Sequence, residues 1–240
     1  MKYASWGLLL SFSLLTSCAM LGLGQQGGLN LQAPEKERLH RELTGKEYVL
    51  ASSVYSSVFF GNDSRLLIDA RPFDIIKLQN LNGSEVPLRP ATGEIIAAGT
   101  PVEIVDIVYP VSGIQGALGE DGDPTSLTPT AHTWLILRQT SQPDAPELVV
   151  VLPKDIPSLQ DFRDAVQAHV KSPMWVLSWL NNREASVLSG IFSKTVVEGM
   201  SQAEMLATLG TPTNFAESLN TDTIEWTADY GDIQATVSGK

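Results

Sequence analysis

The chain has 240 residues, 27 acidic against 16 basic, a formal net charge of −11, 43% hydrophobic residues and one cysteine. That balance excludes binding to nucleic acid or to an anionic lipid surface through bulk electrostatics. A single cysteine excludes an internal disulfide and a cysteine-based metal site, so the fold must rest on its hydrophobic core.

Residues 1–17 have the layout of an export signal. Lys2 supplies the positive end, and Trp6, Leu8, Leu9, Leu10, Phe12, Leu14 and Leu15 an apolar core, before small residues. That core is about a dozen residues, short of the ~20 that a membrane-spanning helix needs. Leu15-Thr16-Ser17-Cys18 closes it. These four residues resemble the lipobox of bacterial lipoproteins, an aliphatic residue, two small residues and Cys. The resemblance implies cleavage before Cys18, diacylglycerol on its thiol and a membrane anchor made of covalent lipid alone. Stable anchoring takes about two acyl chains, which a lipoprotein cysteine exceeds. Ala19 is not the Asp that similarity to enterobacterial lipoproteins would link to inner-membrane retention. That favours the outer membrane of a bacterial envelope.

Residues 18–34 read as a lipidated tether. Gly22, Gly24, Gly27 and Gly28 fall in it without period or charge. As a Gly-rich coil it reaches ~20–24 Å, which keeps the body close to the lipid. In Glu35 to Leu43, Leu39 and Leu43 stand four apart; Pro34 and Glu35 suit a helix start and Gly45 its end.

Residues 35–153 read as a β-rich domain. Tyr48 to Leu50, Val54 to Phe60, Leu66 to Ile68 and Asp74 to Leu81 are strand-like, the last closing on the hairpin signal Asn82-Gly83. Glu94 to Pro101 leads into the strand Val102 to Tyr109. Simple alternation puts Val102, Ile104 and Asp106 on one face, and Glu103, Val105 and Ile107 on the other. His132 to Arg138 and Leu148 to Leu152 read as the last pair. Five or more short strands with turns between them suggest a small barrel or sandwich. Gly99-Thr100-Pro101-Val102-Glu103-Ile104 followed by Thr133-Trp134-Leu135-Ile136-Leu137 resembles bacterial SH3-like barrels. Residues 112–130 form a long loop, and loops of nearly twenty residues in a small domain are usually functional or mobile.

Residues 154–182 read as a helical connector. Ser158 is an N-cap with Asp161 three residues on. Leu159, Phe162, Val166 and Val170 line one face, and Pro173 ends the helix. Met174 to Leu180 follows with Trp175 and Trp179 four apart. A membrane-interface role is weighed for this run, but it is short and has no basic flank. An aromatic pair at helical spacing is more often core, so both tryptophans are expected to fill the seam with the C-terminal module.

Residues 183–240 read as that module, with Arg183 to Phe192 helical. Ser201-Gln202-Ala203-Glu204 is a capping box, with Met200 and Met205 at the staple positions. Gly210 sits where a helix end needs positive φ, and Pro212 bars continuation. Thr223 to Tyr230 and Ile233 to Val237 read as two strands. Val197-Glu198-Gly199-Met200-Ser201, Glu204, Leu209-Gly210-Thr211-Pro212 and Trp226 resemble the SmpA/OmlA outer-membrane lipoprotein domain, the family that includes BamE. The resemblance spans about a quarter of the chain. It implies two helices and a β-meander with no active site, serving protein contacts. Met200 and Trp226 within it, and Trp175 and Trp179 just before it, are the partner or seam candidates. The fold class expected is therefore α+β.

No convergent acid, base and nucleophile can be named. His40, His132 and His169 are the three histidines, and none has metal-ligand spacing. Of them His132 alone, beside Thr130 and Thr133, is considered for a site. No Gly-x-Ser-x-Gly elbow occurs. Glu120-Asp121-Gly122-Asp123 lacks the spacing of a Ca²⁺ loop. No cofactor is expected. Two function classes remain. One is a non-enzymatic envelope lipoprotein acting through protein contacts. The other is a ligand-binding or hydrolytic lipoprotein with its site in the β-domain under the 112–130 loop.

Overall fold

The structure is a computed structural model. It describes residues 31–60, 62–109 and 128–212, and the strands 214–220, 223–229 and 234–239. Cys18, residues 110–127 and the side chain of Trp226 lie outside the described residues. Of the 112–130 loop only residues 128–130 are described, so the cover expected over a site there lies largely outside the described residues.

The chain is α+β, built on one curled eight-stranded sheet. Its strands are β1 (Glu47–Leu50), β2 (Val54–Phe59), β3 (Asn62–Asp69), β6 (Ile95–Ile96), β7 (Pro101–Val108), β8 (Trp134–Gln139), β9 (Glu147–Val151) and β10 (Val170–Lys171). Their order is β10-β1-β7-β8-β9-β3-β2-β6, with β3 and β9 parallel and the other pairs antiparallel. The hairpin at Asn82-Gly83 forms, but only as the two-residue strands β4 (Leu78–Gln79) and β5 (Glu85–Val86).

Both faces of the sheet are covered. Leu135, Leu137, Leu148 and Val150 join one core, and Ile136, Val149 and Val151 join another on the opposite face. A strand buried on both sides loses polar alternation, which is why Leu148 to Val151 is continuously apolar. The first core is closed by α1 (Ala33–Leu43) through Leu39 and Leu43, and by α2 (Leu159–His169) through Phe162 and Val166. Arg163 ties these helices, donating from Nε and Nη2 to the Glu42 carboxylate, both at 2.8 Å.

Several sequence expectations need correction. α1 begins at Ala33 with Gln32 as its cap, and Leu31 is buried in the core, so the tether cannot extend to residue 34. In β7 a bulge between Ile104 and Asp106 shifts the alternation by one. Ile107 thereby shares a core with Val102 and Ile104, and Asp106 is expelled to solvent. Val170 is not the last residue of the helical stripe. The helix ends at His169, and Val170 and Lys171 pair with Leu50 and Val49 as β10. Pro173, expected to end a helix, opens the next one, α3 (Pro173–Asn181), from its first position.

α3, α4 (Ala185–Ser193) and α5 (Gln202–Leu209) pack around Val176, Leu180, Ile191, Met200, Met205, Ala207 and Leu209. Val49 of β1 and Ala98 belong to the same cluster, so it crosses the boundaries expected at 153/154 and 182/183. After α5 comes an antiparallel sheet of three strands rather than two: β11 (Asn214–Asn220), β12 (Thr223–Asp229) and β13 (Gln234–Gly239).

Candidate binding cleft

Two clefts meet where α2, α3 and α5 approach the sheet. The larger, about 330 Å³, runs between Asp69 to Arg71 at the end of β3, Ile76 to Leu78, Val151 to Pro153 and the α2 residues Ala165, Ala168 and His169. The smaller, about 140 Å³, lies between α3 (Trp175, Val176, Trp179) and α5 (Ala203, Leu206, Ala207). Ser52, Ala168, Gly210 and Thr211 line both.

The first cleft is polar at one end. Asp69 accepts from Arg71 Nε at 3.1 Å, Nη2 at 3.0 Å and the Arg71 backbone N–H at 2.8 Å. Arg71 Nη1 has no hydrogen-bond partner among the described residues. Neither has the His169 ring. Burial pushes the His169 pKa below the usual imidazole value; nearby Arg71 adds to that and Asp69 opposes it. Ser52 is 4% exposed, and its hydroxyl makes no hydrogen bond among the described residues.

Ser52, His169 and Asp69 thus share a cleft, which the sequence spacing could not reveal. They do not form a hydrolytic relay. Both Asp69 oxygens are held by Arg71, and no hydrogen bond joins His169 to Asp69 or Ser52 to His169. His132, the histidine considered for a site, is structural. Its Nε2 accepts from the Gln79 N–H at 3.1 Å, so its Nδ1 carries the proton and donates to the Leu152 carbonyl at 2.9 Å. Burial holds its pKa below the usual value. His40 meets the expelled Asp106, Nε2 to Oδ1 3.1 Å, on an open surface. Among the described residues no group of three or more His, Cys, Asp or Glu is placed to hold a metal. No described helix is long and apolar enough to cross a membrane.

Of the two expected seam tryptophans, Trp179 packs against the edge of the α3–α5 cluster and Trp175 does not. Val176 and Leu180 fill the seam, whereas Trp175 is 58% exposed and Trp179 half-buried. The two rings stack 3° from parallel with centroids 6.5 Å apart. Lys171 Nζ lies 5.1 Å from the Trp175 centroid, and the Arg183 guanidinium carbon 5.0 Å from that of Trp179. Lys171, Trp175, Trp179 and Arg183 follow one another at intervals of four, a cation–π ladder along one flank of α3. Arg183 is braced by Glu204, Nη1 to Oε1 2.9 Å, and Glu204 also accepts from Ser201 N–H at 2.7 Å. Desolvation raises the Glu204 pKa, but hydrogen bonds from Arg183 and Ser201 outweigh it and hold the carboxyl below its usual value. Met200 is buried in the α3–α5 cluster and is not a surface contact residue. The Trp226 backbone lies in β12, paired between Glu217 and Val237.

This arrangement predicts unequal mutants. Leu180→Ala should cost ~2–5 kcal/mol, the usual range for a buried leucine. Trp175→Ala should cost under ~1 kcal/mol, the scale of an exposed cation–π contact. Chemical denaturation measures both, and equal losses would return Trp175 to the core.

Lys194 is buried and makes no ion pair among the described residues. It caps α4 in the left-handed conformation at φ 54°. Its Nζ donates to the Ser53 carbonyl at 2.8 Å and the Thr208 carbonyl at 2.6 Å, and lies 4.9 Å from the Tyr55 ring centroid. It thereby satisfies a carbonyl of the last turn of α5. Burial pulls its pKa down to about 7, against a smaller opposing pull from Asp69.

Comparison with protein-family models, with curated proteins and with solved structures finds no match for this chain.

Proposed function

We propose that this is a lipid-anchored protein of the bacterial cell envelope that acts through protein contacts and catalyses no reaction. In this reading Cys18 carries the lipid, the tether holds the body near the outer membrane, and residues 183–240 are a module of SmpA/OmlA type. The observation that carries the contact role is the outward face of α3. Met174 is 83% exposed, Trp175 58% and Leu177 40%. Large apolar side chains at such exposure mark interaction sites, and Trp and Arg are the residue types that dominate interface energetics. The ladder of Lys171, Trp175, Trp179 and Arg183 holds the aromatic rings in place before a partner arrives, which lowers the ordering cost of binding. The outer membrane and an assembly or maintenance role follow from the lipobox, Ala19 and the SmpA/OmlA resemblance.

A photo-crosslinking residue at Met174 or Leu177, both exposed, tests the contact role in intact envelopes. A discrete protein adduct is expected at these positions and none from a probe at exposed Glu37 on α1. Equal, diffuse labelling from all three positions would contradict a contact face on α3.

A further inference from the structure

The two clefts share Ser52, Ala168, Gly210 and Thr211 as lining, and the larger, about 330 Å³, by itself reaches the size of small-molecule sites, which run ~300–1,000 Å³. Their ends differ in chemistry. Among the lining side chains of the larger cleft, Arg71 and Lys77 outweigh Asp69, leaving one net positive charge in a chain of net charge −11. The smaller cleft is walled by Val176, Leu206, Ala207 and the tryptophans, with Lys171 at its rim.

Ser52 lines both clefts, at the boundary between these ends. Buried hydroxyls almost always have a hydrogen-bond partner, because leaving one unpaired forfeits its hydration without return. Ser52 is 4% exposed and has none among the described residues. Arg71 Nη1 is a second unused donor. Its guanidinium is held by Asp69 through Nε and Nη2, so Nη1 is fixed at the polar end at no further cost in side-chain ordering.

We propose that the joined clefts bind a small amphiphilic carboxylate, its head taken by Ser52, Arg71 and Lys77 and its apolar chain lying along Val176, Leu206 and Ala207. A carboxylate matches the single net positive charge of the head cleft, whereas a phosphate monoester carries nearly twice that charge. Asp69 already balances Arg71, so the neutral head of an alcohol would leave Lys77 without a counter-charge in the cleft. The site needs no lipid at Cys18, and its head cleft shares no residue with the α3 contact face. Lys171, Trp175 and Trp179 belong both to the smaller cleft and to the ladder on α3, so binding of the ligand is measured on the purified protein without a partner.

Titration of the purified protein with octanoate, followed by the ring proton resonances of His169 and the indole resonance of Trp179, tests the proposal. A saturable shift of both is expected, with His132 unmoved because both of its nitrogens are already bonded. Lys77→Gln, at an exposed position, should weaken octanoate binding several-fold, and Ser52→Ala by roughly tenfold, the scale of a hydrogen bond to a charged group. Octanol and octyltrimethylammonium should bind far more weakly, and octyl phosphate more weakly than octanoate. No saturable shift, octanol binding as tightly as octanoate, or Lys77→Gln without effect would each overturn the site. Tighter binding of octyl phosphate would overturn the choice of a carboxylate. If Ser52→Ala does not fold, Lys77→Gln and the ligand series decide.

Discussion

Gly210→Ala is expected to destabilise the protein by about 2–5 kcal/mol, from backbone strain and overpacking together. Gly210 caps α5 at φ 84° and ψ −164°, outside the left-handed well and in the extended region open to glycine alone. A Cβ there would collide with the Ala70 Cβ at the end of β3. Against a total stability of ~5–15 kcal/mol, such a loss is large. The two contributions can be separated. Gly199 has φ 88° and open space around its missing Cβ, so Gly199→Ala carries strain alone. Gly210→Ala combined with Ala70→Gly removes the collision and should recover the overpacking share. Denaturant midpoints for the three variants measure this; a Gly210→Ala protein no less stable than Gly199→Ala would show that α5 does not abut β3.

Lys194 should give the chain an unusual pH dependence. Its folded pKa, about 7, lies below the ordinary lysine value of 10.5. Between these values the unfolded chain holds a proton that the folded chain has released, so stability rises with pH through that window. At ~1.4 kcal/mol per pKa unit the full rise is on the order of 5 kcal/mol. Tyr48, Tyr55 and Tyr109, all raised first by burial and Tyr109 to about 12, act oppositely above the usual tyrosine range. The clean interval therefore runs from pH ~7 to ~9.5. Lys194→Met leaves the Ser53 and Thr208 carbonyls without a donor but removes the titration. The stability difference between wild type and Lys194→Met should therefore move in favour of wild type as pH rises through this interval. Parallel curves would mean that the Lys194 amine is not desolvated. His132 and His169, held low chiefly by burial, extend the same sign downward, with stability lost as pH falls below about 6.5.

The parts of the fold visible in the sequence are those written in local signals. Ser158, the Ser201–Glu204 box, Gly210 and Pro212 mark helix ends through backbone chemistry that acts within a turn. What stayed hidden was decided at long range. The β7 bulge is invisible in Val102 to Val108, because alternation fixes faces only while the register holds. Val170 continues the helical stripe of α2, yet pairing with Leu50 wins it for β10. On α3 two stripes run side by side, Trp175 with Trp179 and Val176 with Leu180. Periodicity shows both, and only packing against Val49 and Ala98 selects the smaller pair for burial. The cleft was illegible for the same reason: Ser52, Asp69, His169 and Gly210 come from four separate stretches of chain.

The lipid anchor is tested most directly by the intact mass of the protein extracted from bacterial membranes with detergent. The expected species begins at Cys18, carries diacylglycerol on the thiol and an acyl group on the amine, and is absent from membranes when Cys18 is replaced by Ala. A membrane-extracted chain with unmodified Cys18, or one whose mature terminus lies elsewhere, would contradict it.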